Sequence, residues 1–253
     1  MRAAILLAVA AFVACVHAQD PPPGWTAYAT ANCPAGTRLT KMEADWTVLG
    51  NAPASQAFYS PWFGSDTTDN LNLLQPVNPW FGSSWNFYTE YFQWSPTHNQ
   101  DSSSYGTQTG NRLHGEIVFN GVNEQTYTVR QTDTTQGQTS QMTVPVQKDY
   151  SGTYKNYTVL YVVFEKVAQC YEYPPDQKVT FENINVYCDG QLITPAWTTS
   201  YVDEVCEFAA HVDSPHQISI TWNTQSAKQP PKAMVEESQR DKRLGVRLPR
   251  RHV

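Results

Sequence analysis

A carboxylate at residue 165 stands in unusual company. The segment Val159-Leu160-Tyr161-Val162-Val163-Phe164-Glu165-Lys166-Val167 is almost wholly apolar, the pattern of a central strand. Alternation sets Glu165 on one face with Val159, Tyr161 and Val163. A carboxyl beside apolar and aromatic groups loses hydration, so its pKa is expected to rise and it can act as a general acid or base. If the strand ends early, Glu165 is instead exposed or paired with a lysine. A second polar group closes another apolar run. In Leu71-Asn72-Leu73-Leu74-Gln75, Gln75 shares a face with Leu71 and Leu73, and Pro76 ends the strand.

Between these two lies an aromatic stretch, Trp80–Trp94, with eight aromatics in fifteen residues. As a strand it carries Trp85, Phe87, Thr89, Tyr91 and Gln93 on one face and Tyr88, Glu90, Phe92 and Trp94 on the other. Aromatics on both faces suggest one face in the core and the other lining a groove, where Trp and Tyr contact peptide or sugar well. Core plus ordinary surface is the plainer reading.

The elements that must position these residues are strands. Residues from about 38 to 224 are rich in Val, Ile, Thr, Tyr, Phe and Trp, broken by Asn, Gly, Asp and Pro. This predicts strands at Glu116–Asn120, Thr126–Gln131, Gln141–Val146, Thr158–Val167, Lys178–Tyr187 and Gln217–Trp222. Gly110–Val146 reads as three hairpin-linked strands. No helical period of apolar residues stands out. The fold class is therefore all-β, an antiparallel two-sheet sandwich or a barrel. Residues 19–37 read as an irregular Pro-rich segment, 38–225 as the β-domain, and 226–253 as a basic, disordered tail with eight Lys/Arg against three acids.

Arg2, the apolar run Ala3–Cys15 and Val16-His17-Ala18 form a secretory signal peptide pattern over 1–18. No later stretch is long enough for a membrane span. Cys33, Cys170, Cys188 and Cys206 then remain, an even number that suits two disulfides in an oxidising compartment, with three connectivities open. A zinc site is the alternative, but no CxxC pair is present. Asn156-Tyr157-Thr158 is a glycosylation sequon. The net charge of −6 disfavours nucleic acid as a partner. No Gly-x-Ser-x-Gly elbow, His-Glu-x-x-His pair or phosphate-cradling loop occurs, and no pattern requires a metal or cofactor.

The order of these pieces resembles the glutamic peptidases, or eqolisins. Trp62-Phe63-Gly64-Ser65-Asp66 followed by Leu73-Leu74-Gln75 is similar to that family's Trp-x-Gly-x-Asp … Leu-Gln signature. Tyr88–Pro96 resembles its aromatic segment, and Leu160–Lys166 its Glu-bearing strand. The resemblance covers about residues 55–190. It implies a concave sheet face binding extended peptide, with no metal and no covalent intermediate. It assigns Gln75 and Glu165, from neighbouring strands, as the catalytic pair. Glu165 would activate water, and the Gln75 amide would donate to the oxyanion. Trp62, Asp66, Thr89, Tyr91 and Gln93 would line or support the groove. A secreted, monomeric endopeptidase acting on peptide at acidic pH is then expected. Thr89, Gln93 and Tyr161 stand where the family pattern has carboxylates. A non-catalytic carbohydrate-binding sandwich and an extracellular structural protein are the competing readings.

Overall fold

The computed structural model describes residues 24–202 and 204–240. The signal pattern at 1–18 and the basic residues 241–253 lie outside the described residues. The strands are β1 (Trp25–Asn32), β2 (Leu39–Thr47), β3 (Ser60–Thr67), β4 (Asn72–Val77), β5 (Trp85–Trp94), β6 (Thr97–Asp101), β7 (Tyr105–Thr107) and β8 (Arg112–Phe119). They continue as β9 (Thr126–Asp133), β10 (Gln138–Pro145), β11 (Tyr157–Glu165), β12 (Lys178–Cys188), β13 (Gln191–Ile193), β14 (Thr198–Tyr201), β15 (Ala209–Ser214) and β16 (Gln217–Thr221), with helix α1 at Lys232–Arg240.

Two eight-stranded sheets form. The first runs β14-β1-β11-β3-β4-β5-β6, with β7 on β5. The second runs β10-β9-β8-β2-β12-β16-β15, with β13 on β12. The all-β sandwich expected from the sequence is the observed class, and β8, β9 and β10 are the expected run of hairpins. The central place of β11, between β1 and β3, explains its apolar sequence.

The core lies between the sheets. Leu160, Val162 and Phe164 of β11, Phe63 of β3 and Phe87 of β5 meet Trp46 and Phe181 from the second sheet, all buried. The Trp46 ring sits 6.0 Å from Phe63 and 5.3 Å from Phe181. Two disulfides staple this sandwich. Cys33–Cys188 joins the end of β1 to the end of β12, one sheet to the other, and Cys170–Cys206 ties the segment after β11 to the turn before β15.

Two boundaries differ from the sequence reading. Residues 24–37 are not wholly irregular, because β1 pairs with both β11 and β14. Its core-facing side chains are Ala27, Ala29 and Ala31, too small to stand out as an apolar strand pattern. Residues 226–240 are not all disordered tail, because α1 docks on the sandwich. It packs Met234 and Val235 against the core and adds polar bonds, and no hydrophobic periodicity announces these. Ser238 Oγ accepts from the Val167 N–H at 2.6 Å, and the Gln239 amide bonds both the N–H and the carbonyl of Phe58.

The sheets approach closely at Gly115. A Cβ there would stand 2.6 Å from the Phe63 ring and 2.9 Å from Pro76, whereas one at Gly106 meets nothing within 4 Å. Gly115→Ala is expected to cost about 1–3 kcal/mol by overpacking, and Gly106→Ala to stay within about 0.5 kcal/mol of the parent. Denaturant unfolding of the two variants checks the contrast.

Candidate active site on the outer face of the first sheet

The pleat of β5 sends Trp85, Phe87, Thr89 and Tyr91 inward, where all four are buried, Tyr91 within the main core. It sends Tyr88, Glu90, Phe92 and Trp94 to the outer face of the first sheet. There an aromatic cluster forms with Trp25, Trp62, Leu73, Val77, Tyr161 and Val163. Trp25 lies edge-on to Trp62 and to Tyr161, each at 5.1 Å, and Phe92 edge-on to Trp94 at 4.7 Å. This is the second aromatic face that the sequence placed in a groove.

One row of side chains crosses that face. Tyr161 stands opposite Gly64, and the β3–β4 register (Trp62 with Val77, Ser65 with Leu74) sets Gly64 opposite Gln75. Gln75 is opposite Glu90, and Glu90 opposite Asp101. A Cβ on Gly64 would lie 2.5 Å from the Leu74 carbonyl oxygen, so only glycine fits there. The Leu73 and Trp62 side chains close over that position, each 3.2 Å from where the Cβ would stand, and separate Tyr161 from Gln75 in the row.

The electrostatics centre on Glu90. Burial first, then the charges of Asp101 and Glu165, push its carboxyl up to about 8; Lys166 and a long hydrogen bond from the Tyr88 hydroxyl oppose the shift. Asp101, at the exposed end of the row, is raised as well by partial desolvation, against a hydrogen bond from Asn99. Tyr88 is held well above its ordinary range, first by burial and then by the charges of Glu90, Asp101 and Glu165. Two groups on the same floor lack partners: the Gln75 side-chain oxygen and the Trp62 indole N–H are buried without a hydrogen bond. A pair of neighbouring carboxyls with separated pKa values can hold one proton between them and serve as acid and base together.

The sequence-expected residues divide accordingly. Gln75 and Trp62 lie on this floor. Glu165 lies on the same face, but not on a strand next to that of Gln75, since β3 runs between β4 and β11. Nor is it in the same row: it faces Ser60 and Trp25, four residues beyond Tyr161, or about 13 Å along the strand. Ser60 Oγ donates to it at 3.4 Å. Asp66 is buried and shapes the β3–β4 turn, accepting from the N–H groups of Thr67 and Asn72 at 2.7 and 2.8 Å. Thr89, Tyr91 and Gln93 do not line the groove, because alternation turns them to the opposite face. The Tyr91 hydroxyl donates to Gln93 there at 2.7 Å. The sequence reading left Glu90, Asp101 and Tyr88 out of the site. Glu90 was findable by the rule applied to Glu165, a carboxylate sharing a strand face with aromatics.

Among the described residues, Glu43, His114 and Glu116 could hold a metal ion, their ligand atoms lying within 4.8 Å of one another. They sit on the other sheet, and Lys41 and Arg130 already neutralise the two glutamates. Asn156 is exposed. No described helix is long and apolar enough to cross a membrane.

Neither a family model nor a curated protein sequence matches the chain. Solved structures do. A scytalido-glutamic peptidase crystallised with a peptide-based transition-state analogue superposes with a TM-score of 0.58 at 15% identity, covering 79% of this chain and 98% of that one. Another scytalido-glutamic peptidase complex gives 0.56 at 15% identity over the same shares. SCP-B, described as a member of the eqolisin family and solved with the tripeptide Ala-Ile-His, gives 0.53 at 13%, again over 79% of this chain and 98% of that one. The chain thus has the fold of the glutamic peptidases.

The raised carboxyls have a stability consequence. A protonated Glu90 binds its proton more tightly folded than unfolded, so folding stability falls as pH rises from about 4.5 to about 8 and then levels. Thermal unfolding at several pH values is expected to show this decline in the parent and a flatter profile in Glu90→Gln.

Proposed function

We propose that this chain is a secreted peptide-bond hydrolase of the glutamic-peptidase type, with Gln75 and the Glu90–Asp101 pair as its reacting groups. The observation that carries the reading is the single row Gln75–Glu90–Asp101, two carboxyls facing each other across paired strands beside a buried amide oxygen without a partner. The fold supports it, since the similar structures above hold peptide ligands in their own sites. Secretion and glycosylation at Asn156 rest on the signal pattern, the sequon and the disulfides.

In this mechanism an extended peptide lies across the outer face, its carbonyl over Gln75. Between about pH 6 and 8 the carboxyl pair carries one proton. Its ionised member takes a proton from water as the water oxygen bonds to the carbonyl carbon. The Gln75 amide presents its NH₂ by a half-turn about its last torsion and donates to the oxyanion. The protonated member then gives its proton to the nitrogen as the C–N bond breaks, so the pair ends with one proton as it began. Glu165 acts through its charge, adding to the burial and the Asp101 charge that keep Glu90 protonated. The optimum moves from the acidic range, which the sequence resemblance implies, to near neutrality.

A second reading is a peptide-binding module without hydrolysis. It is favoured by one observation, the Tyr161 hydroxyphenyl standing across Gly64 from Gln75 where a carboxylate would complete a direct pair.

The test is hydrolysis of an unfolded protein from pH 3 to 9 by the full secreted chain, with an aspartic-peptidase inhibitor present. A bell with limbs near 6 and 8 is expected. Glu90→Gln should lose about 10²–10⁴-fold in rate and Gln75→Ala about 10²–10³-fold. Glu165→Gln should keep activity with its basic limb moved down. Loss in Glu165→Gln with Glu90→Gln unaffected would return the role to Glu165. Peptide binding without hydrolysis at any pH would select the second reading.

A further inference from the structure

The outer face of the first sheet carries a cluster of aromatic rings, Trp25 lying 5.1 Å from both Trp62 and Tyr161. None of the described strands or helices packs as a layer on it.

The chain leaves the sandwich beside that face. Ser238 and Gln239, in the last turn of α1, are bonded to Val167 and to Phe58. Val167 follows Glu165 by two residues, and the Phe58 ring stacks at 5.4 Å on Phe81, which packs against the outer aromatic cluster. Ser238 Oγ also lies 3.3 Å from where a Cβ on Gly24 would stand, next to Trp25. Thirteen residues, 241–253, follow Arg240. Extended, they reach about 40 Å, enough to run from the Glu165 end of the face past Glu90 and Asp101.

Charge and side-chain chemistry match along that path. Residues 241–253 hold Lys242, Arg243, Arg247, Arg250 and Arg251 against one acid, Asp241, with Leu244, Val246 and Leu248 between them. The face holds Glu165 and the one negative charge shared by Glu90 and Asp101, with Lys166 nearby, among indole and phenol rings. Arginine stacks on such rings and pairs with carboxylates.

We propose that residues 241–253 turn back from the end of α1 and occupy the outer-face groove as a tethered basic peptide, and that the groove accordingly selects substrates with Lys or Arg beside Leu or Val. The substrate half of this statement rests on the hydrolase reading above; the docking half does not. A tether of this length supplies a local concentration in the millimolar range, so the segment competes with free peptide until it is displaced or cut away.

The experiment compares the full secreted chain with a full chain carrying K242Q, R243Q, R247Q, R250Q and R251Q, both checked by intact mass and circular dichroism. A synthetic peptide of residues 241–253 is titrated into each by calorimetry and tryptophan fluorescence, beside a version with Glu at the five basic positions. Saturable binding of the basic peptide to the neutralised chain is expected. It should weaken at high salt, as screened charge pairs do, and the Glu version should not bind. Hydrolysis of a Lys/Arg-containing substrate is expected to show a KM roughly tenfold lower in the neutralised chain at unchanged kcat, as release of a millimolar competitor implies. No binding of the basic peptide overturns the proposal, and so does equal KM in the two chains. If neither chain hydrolyses anything, the comparison is made on binding alone. Free peptide then binding the neutralised chain and not the native one upholds the docking while the hydrolase reading falls, and equal binding overturns the docking too.

Discussion

Everything proposed for this protein depends on the pleat of β5. A strand has two faces and no third, so each side chain in Trp85–Trp94 is committed by its parity. Trp85, Phe87, Thr89 and Tyr91 go inward and hold the first sheet on the second. Tyr88, Glu90, Phe92 and Trp94 go outward and have no second sheet to meet. A one-residue slip would bury Glu90 between the sheets and send Tyr91 out, so the packing of the inner face fixes the chemistry of the outer one. The 0% exposure of Phe87 against the core is in that sense what aims the Glu90 carboxyl.

The outer row then follows from backbone pairing alone. Gly64 is the one position in it without a side chain, and the closeness of the Leu74 carbonyl excludes any other residue there. Leu73 and Trp62 close over it, so the row has an aromatic and apolar wall on one side and an amide and two carboxyls on the other. Desolvation by that wall, more than any single charge, lifts Glu90. The aromatic rings that wall this face are also what desolvates the Glu90 carboxyl and raises its hold on a proton.

Much of this was legible in the sequence, and the part that was not has an identifiable cause. Strand alternation is local, so the two faces of β5 and the apolar character of β11 could be read from spacing. The place of Gln75 beside apolar residues was readable for the same reason. Cross-strand register is not local. Nothing in Val159–Val167 says that Tyr161, rather than Glu165, comes level with Gln75, because that depends on pairing with β3 nearly a hundred residues away. The motif resemblance drew attention to Thr89 and Gln93, whose parity is inward, and away from Glu90, whose parity is outward. The docking of α1 escaped because Met234 and Val235 make no apolar stripe and polar bonds supply the rest, and β1 escaped because alanines line its core face.

The central claim is that Gln75 and Glu90, not Gln75 and Glu165, face the reacting carbonyl. The most direct measurement is a crystal structure of the full chain with a peptide-based transition-state analogue bearing a tetrahedral hydroxyl centre. The account requires that centre to lie over the Gln75–Glu90 pair, with one oxygen within hydrogen-bond distance of the Gln75 amide and the other within reach of the Glu90 carboxyl. An analogue whose centre meets Glu165 and leaves Glu90 without contact would contradict it.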